Sequence, residues 1–239
     1  MSLQVKSEMH LRTISVLWLF AAVLPADTTK PPAGLEPVFA RIDSAAASFK
    51  TFSANIRRLT HTDVINDDTI DSGTIKVKRT KARDTRMLID LTAPDPKSAA
   101  IQGKKAQIYY PRMQTVQEYD LGKYRDWLDQ FYLVGFGMTS KELMEAYTIR
   151  PLGSDTVAGQ KVSGLELIPK SKEILLHLKK LELWVSDKDG LPVEQKYFPP
   201  GQHIVVTYSN INVNSDIPDS ALKLQLPKKG IKWEYPQKD

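Results

Sequence analysis

The sequence predicts a mainly β fold of the α+β kind: a strongly curved antiparallel sheet forming an unclosed half-barrel, lidded by two or three short helices around an apolar cavity. Three observations point there. Short stretches of alternating apolar and polar residues recur along most of the chain, separated by turn signals. No strand–helix–strand alternation occurs, which argues against a parallel sheet. Large apolar residues crowd the inner faces of the strands while helical segments are few, so a curved sheet would leave room inside. A packed core would show the same alternation, and pattern alone leaves cavity and filled core both open.

The chain has 239 residues, 41% hydrophobic and 26% charged, which is ordinary for a globular protein. It is long enough to bury a core of its own. The net charge of +5 is spread along the sequence without a dense basic stripe, so no nucleic acid is expected as a partner. The absence of cysteine excludes disulfides, thiolate metal sites, a cysteine nucleophile and a lipidated N-terminal cysteine.

Residues 1–26 read as a signal peptide. Lys6, His10 and Arg12 form a basic start, residues 14–24 an apolar run too short to cross a bilayer comfortably, and Ala26 a small cleavage residue behind Pro25. Met9 would give a tidier start. Residues 27–34 read as a flexible, proline-containing leader, 35–229 as one domain, and 230–239 as a polar tail. A signal with no cysteine to acylate and no second apolar span implies a soluble protein outside the cytoplasm.

Leu35, Val38, Phe39, Ile42, Ala45, Ala46 and Phe49 recur at helical spacing and predict an amphipathic helix. Strands follow over 52–56 and 73–79, then around Met87, Ile89 and Leu91, with a turn signal at Asn66-Asp67-Asp68. Gly103-Lys104-Lys105 reads as a tight turn, and 107–110 and 115–119 as a hairpin around Pro111-Arg112-Met113. Apolar residues then crowd together from Trp127 to Met138. Residues 140–147 read as a short helix with Ser140 as N-cap, although Glu142 then falls one residue short of the capping-box position. Strands resume over 162–168, 178–185, 191–198 and 203–208, with a hairpin turn at 187–190. Residues 211–218 read as an irregular link, and Leu222, Leu224 and Leu226 alternate before Pro227.

Catalytic signatures are missing from the sequence. His10, His61, His177 and His203 lie far apart and match no zinc spacing, so no metal site is expected. Gly135-Phe136-Gly137 opens like a dinucleotide loop, but Ser140 stands where the third glycine belongs. Residues 187–190 fail as a calcium loop, because Val185 and Lys196 fall on ligand positions. Neither a G-x-S-x-G elbow nor a P-loop occurs, and nothing points to a glycosidase-type carboxylate pair. The expectation is a non-enzymatic protein without a cofactor.

Arg79 stands out. By period two it shares a face with Ile75 and Val77, while Lys76 and Lys78 point the other way. A guanidinium ending an apolar face needs acceptors, unless it sits past the strand end and faces water. The apolar side chains suited to lining a cavity are Ile75, Val77, Met87, Ile89, Tyr109, Trp127, Phe131, Leu133, Phe136, Met138, Leu143, Met144, Leu183 and Val206.

The order of these features resembles the LolA family of periplasmic outer-membrane lipoprotein carriers. The matching pieces are the signal peptide, the amphipathic helix ending in 48–54, residues 73–79, and Gln102-Gly103-Lys104 leading to 108–111. Residues 165–170 and 224–228 complete the set, which spans 35–229. The resemblance implies a half-barrel lidded by short helices, an apolar cavity for acyl chains and a periplasmic monomer. It implies acylated lipoproteins as cargo, an inner-membrane ATPase complex as the source and an outer-membrane receptor as the destination. It also places on Arg79 the arginine that latches the family's lid, which here falls within 127–147. Thr80 departs from the family's proline after that arginine, and Lys81, Arg83 and Arg86 make the following stretch unusually basic. Two other readings share the fold: a carrier of a free lipid or glycolipid, and an RseB-like sensor of mislocalised lipoprotein that binds an anti-sigma partner. The sensor family carries a second domain, for which the residues after Lys229 read as too short.

Overall fold

The structure, a computed structural model, describes residues 33–81, 84–122 and 134–236. The expected signal peptide and part of the expected lid, including Trp127, Phe131 and Leu133, lie outside these residues. Helix α1 (Glu36–Ser48) comes first. Six strands follow: β1 (Thr51–Thr62), β2 (Asp67–Lys81), β3 (Asp84–Ala93), β4 (Lys97–Gln102), β5 (Lys105–Tyr110) and β6 (Thr115–Asp120). After the short helix α2 (Ser140–Ala146) come β7 (Tyr147–Val157), β8 (Gln160–Pro169), α3 (Lys172–Leu175), β9 (Lys180–Ser186), β10 (Pro192–Phe198) and β11 (Gln202–Val213). The last strand is β12 (Lys232–Glu234).

All twelve strands form one sheet in the order β12-β6-β5-β4-β3-β2-β1-β11-β10-β9-β8-β7. Every pairing is antiparallel except the short parallel one of β12 on β6. The outermost strands, β12 and β7, do not pair, so the sheet curves without closing, as the half-barrel expectation requires. Irregularities at Ser53/Asn55, Ser72/Gly73, Pro151/Gly153 and Pro192/Glu194 supply bends, since an extra residue on one strand kinks and twists the ladder.

The helix α1 packs its apolar stripe, Val38, Phe39, Ile42 and Ala46, onto the inner face of the sheet. Pro37 suits its first turn, where a missing N–H costs nothing. Its end is set by Asn214, whose amide donates to the Ser48 carbonyl at 3.0 Å and accepts from the Lys50 N–H at 2.8 Å. The helix α2 starts one residue earlier than the sequence suggested. Thr139 is the N-cap, which puts Glu142 at the third helical position and completes the capping box. From α1, the Asp43 carboxylate accepts from the Ser140 N–H at 2.6 Å and the Ser140 hydroxyl at 2.7 Å, tying the two helices together.

Two clusters fill most of the inner face. One joins α1, α2 and α3 to β7–β10 through Leu143, Tyr147, Leu165, Leu167, Leu181 and Leu183. The other gathers Phe49, Phe52, Ile75, Val77, Met87, Phe136 and Tyr208. On the outer face, Ile217 and Leu222 cover Leu88 and Ala100.

Several local readings are corrected. The edge strand β7 went unread because most of its residues from Arg150 to Thr156 are exposed and carry no alternation. The strand β11 runs through the supposed link as far as Val213. The Leu222–Leu226 alternation is not a strand: Asp219–Leu222 is a 3-10 turn, and its Leu222 side chain is spent on the outer face. Residues 232–234, read as tail, form the sheet's edge beside β6.

Leu181 is fully buried in the filled half. Leu181→Ala is expected to lower the unfolding free energy by about 2–5 kcal/mol. Urea denaturation followed by tryptophan fluorescence checks this.

Candidate binding cavity

A cavity of about 280 Å³ remains on the inner face, between β1–β3 and β10–β11. Ile56, Ile75, Met87, Ile89 and Leu91 line one side, and Tyr197, Ile204, Val206 and Tyr208 the other. Cross-strand register builds this surface. In antiparallel pairs, directly opposed residues share a face. β1 pairs Ile56 with Tyr208 and Arg58 with Val206, and β3 sets Ile89 opposite Ile75. Gly73 occupies the same face opposite Ile56 and Leu91. A Cβ there would stand 1.9 Å from the Asp90 carbonyl oxygen, so this position can add no side chain to fill the space.

The cavity has two polar features. Arg58 lines it and is held by the buried Asp71, its direct neighbour on β2, with Nε donating to the carboxylate at 2.9 Å. The fully buried Gln195 forms a second node behind the wall. Its Oε1 accepts from the hydroxyls of Tyr197 (2.9 Å) and Tyr208, and its Nε2 donates to the Val134 carbonyl at 2.6 Å. Every polar atom of the Gln195 amide oxygen and both tyrosine hydroxyls is thus spent, as a dry interior demands.

Residues 134–137 cross the inner face beside the cavity. Phe136 packs edge-on against Phe52 at 4.8 Å and Tyr208 at 5.7 Å. Arg79 fastens this segment. Its Nη1 donates to the Ala46 carbonyl of α1 at 3.2 Å, its Nη2 donates to the Gly137 carbonyl, and its guanidinium lies 5.3 Å from the centre of the Phe49 ring. Gly137 has φ +79°, and a Cβ on it would stand 2.0 Å from Arg79 Nη2. The glycine that failed as part of a dinucleotide loop therefore serves the close approach of the guanidinium.

Of the side chains singled out from sequence, Ile75, Met87, Ile89 and Val206 line the cavity. Val77 and Phe136 lie in the adjoining cluster. Leu143 and Leu183 belong to the filled half, with Met138 and Met144 packed against it. Tyr109 is on the outer face: it opposes Ser98, on the same side as Ala100 and Leu88 and away from Ile101 and Met87. Its alternation with the neighbouring Tyr110 was readable, but not which of the two turns inward. Ile56, Arg58, Leu91, Tyr197, Gln202, Ile204 and Tyr208 were missed. Ile204 and Tyr208 share a strand face with Val206, a signal that could have found them.

Two basic residues flanking Arg79 on β2 and β3 also find internal work. Lys78 and Arg86 donate to the Asp219 carboxylate at 2.8 and 2.9 Å, and Lys78 also to the Ile217 carbonyl at 2.8 Å, fastening 217–222 to the outer face. Hydrogen bonding to Lys78 holds the Asp219 carboxyl below its ordinary range. Thr80 donates to the Asp84 carbonyl at 3.0 Å, joining the ends of β2 and β3.

Burial pushes the Tyr208 and Tyr147 phenols well above their ordinary range. A raised folded value means that the native state keeps its proton where the unfolded chain releases it. These tyrosines therefore leave stability intact below about pH 10 and erode it as pH rises above that. In a spectrophotometric titration, Tyr208→Phe should leave the reversible tyrosinate signal of the folded protein unchanged and reduce only the signal that accompanies alkaline unfolding.

No family model and no curated protein matches the sequence. Solved structures do match. MucB aligns with 16% identity over 81% of this chain and 64% of its own, with a TM-score of 0.50. The chain thus spans under two thirds of the length of MucB. An uncharacterized conserved protein from Thermus thermophilus aligns with 9% identity over 83% of this chain and 96% of its own, at a TM-score of 0.51. A LolA superfamily protein from Nitrosomonas europaea aligns with 13% identity over 78% and 96%, at 0.40. At these identities the likeness is one of fold.

Proposed function

We propose that this chain, a half-barrel with the fold of MucB, is an exported carrier that shields an acyl chain of a lipoprotein in its inner-face cavity. The observation that carries the reading is the cavity itself: an apolar space beside a crossing segment that one arginine fastens. Its volume of about 280 Å³ lies just below the range for small-molecule sites, about 300–1,000 Å³. That suits one chain end rather than several whole chains. Each methylene taken from water contributes about 0.8 kcal/mol.

Displacing residues 134–137 would join the cavity to the surface now covered by Phe136, including Phe52 and Val77. In this reading Arg79 is the latch of the empty form. The signal peptide read in residues 1–26 supports export to the periplasm, and no helix among the described residues is long and apolar enough to cross a membrane. Loading from an inner-membrane ATPase complex and delivery to an outer-membrane receptor complete the proposal. The chemistry proposed is binding, without a catalytic step.

A different cargo, a free lipid or glycolipid, fits the same cavity. The likeness to MucB favours a second reading, a lipid-sensing module that engages a protein partner. MucB has been solved in complex with MucA. Capture of the periplasmic protein with its bound molecules, followed by protein and lipid mass spectrometry, separates these readings: a lipoprotein supports the carrier, and a lipid-free protein partner supports the sensor.

Two variants test the site in solution. Val206→Trp should fill the cavity and abolish binding of a fluorescent fatty acid, with the melting temperature showing that the fold persists. Unchanged binding would place the acyl site elsewhere. Arg79→Leu removes a charge-assisted latch of about 1.5–3 kcal/mol. It should bind the fatty acid about 10- to 100-fold more tightly and release it more slowly to acceptor vesicles. Equal or weaker binding by a folded Arg79→Leu protein would sink the latch.

A further inference from the structure

Two histidines that the sequence sets far apart meet across the β1–β11 ladder, where His61 is paired with His203. Their rings stack at 4.7 Å with 26° between planes. They lie on the outer face, because Arg58, three positions before His61, turns inward to the cavity. Asp63, in the turn from β1 to β2, brings Oδ1 to 3.9 Å from His61 Nε2 and 4.0 Å from His203 Nδ1. Ligand atoms of all three residues lie within 4.8 Å of one another. We infer that His61, His203 and Asp63 bind a divalent transition-metal ion of the zinc class, with Asp68 as their orienting carboxylate.

The orienting group sharpens the case. Asp68 Oδ1 lies 2.7 Å from His61 Nδ1. In the neutral ring this contact draws the proton to Nδ1 and leaves Nε2 with a bare lone pair. That lone pair faces the Asp63 oxygen, itself an acceptor, at a separation too long for a hydrogen bond. A metal ion between them turns two mutually unfavourable lone pairs into two ligands. The carboxylate–histidine–metal arrangement is the one that fixes the ring orientation of metal-binding histidines.

Chemistry and geometry select the ion. Two imidazoles and one carboxylate suit zinc and its neighbours, whereas calcium and magnesium take oxygen ligands. Metal–ligand bonds of about 2.0–2.2 Å place tetrahedral donors about 3.3–3.5 Å apart. The 3.9 and 4.0 Å to Asp63 call for a closure of about half an ångström, and the two imidazole donors, within 4.8 Å of each other, for up to about 1.5 Å, which partly exposed side chains can make by rotation. Phe198, stacked on His203 at 6.3 Å, steadies that ring. The Asp63 and Asp68 carboxylates together balance the charge of a divalent ion. Three protein ligands leave a fourth position for water. A bound ion would clamp the β1–β2 turn to β11 next to Gln202, which lines the cavity.

Spacing could not reveal this site, because its ligands come from strands joined only by sheet pairing. The test is a Co²⁺ titration of the full chain, purified without a polyhistidine tag. One Co²⁺ per chain should bind with visible ligand-field absorption, and Zn²⁺ should displace it. His61→Ala and His203→Gln should each weaken binding by more than about 100-fold, and Asp68→Asn by about 10- to 100-fold at unchanged stoichiometry. Zn²⁺ should raise the melting temperature of the parent protein and not that of the His203→Gln variant. Absence of Co²⁺ and Zn²⁺ binding, or binding undiminished in a folded His203→Gln protein, would overturn the inference. Unchanged affinity in Asp68→Asn would remove Asp68 from it.

Discussion

A guanidinium at the end of an apolar strand face must find acceptors, and much of the inner face is arranged around the way Arg79 finds them. Its two carbonyl partners belong to different segments, Ala46 on α1 and Gly137 on the crossing segment. The flat fork of the guanidinium can serve both at once, which a lysine ammonium could not do with the same geometry. Holding Gly137 there seats Phe136 between Phe52 and Tyr208 and leaves the Val134 carbonyl in reach of Gln195. The glycine at 137 is the steric condition of the whole arrangement.

This junction divides the inner face into two regions of different character. Under α1 and α2 the strands β8 and β9 carry densely packed leucines, flanked by Tyr147 and Ile149 of β7 and Tyr197 of β10, and Asp43 and Arg41 fix α1 by hydrogen bonds at 2.6 and 2.9 Å to Ser140 and Asp187. Beside them, β1–β3 and β11 leave the cavity. Segments with few packed neighbours open locally at lower free energy than the packed core. The crossing segment is itself buried at Val134 and Phe136, but no helix or strand ladder holds it, so local opening is expected there rather than in α1.

The antiparallel strands, the first helix and the face occupied by Arg79 were legible in sequence because each rests on local periodicity, whereas the unclosed half-barrel was expected from the surplus of large apolar residues and from the family resemblance. What was illegible rests on register. Nothing in the alternation of 107–110 says that Tyr109 turns outward, and only the pairing of Ser98 with Tyr109 decides it. Leu143 and Leu183 were equally apolar candidates for a cavity, but α1 packs over them and fills the space. The capping box of α2 was missed by one residue, since Ser140 and Thr139 are both good caps and only the second puts Glu142 at the right distance. The pairing of His61 with His203 is the extreme case, invisible to any spacing rule because the two residues come from opposite ends of the sheet's chain path.

The cavity and the latch also constrain each other energetically. If the latch holds the empty form by about 1.5–3 kcal/mol, a ligand must bury roughly two to four methylenes beyond what the closed cavity admits before opening becomes favourable, at about 0.8 kcal/mol each. Short apolar molecules can enter the existing space without moving Phe136. Under the proposed function, a long acyl chain would gain enough from the surface of Phe52 and Val77 to displace it. On the same reading, the small, partly open cavity would admit a long-chain cargo only once the segment fastened by Arg79 moves, so the surface beneath Phe136 would be what selects for length.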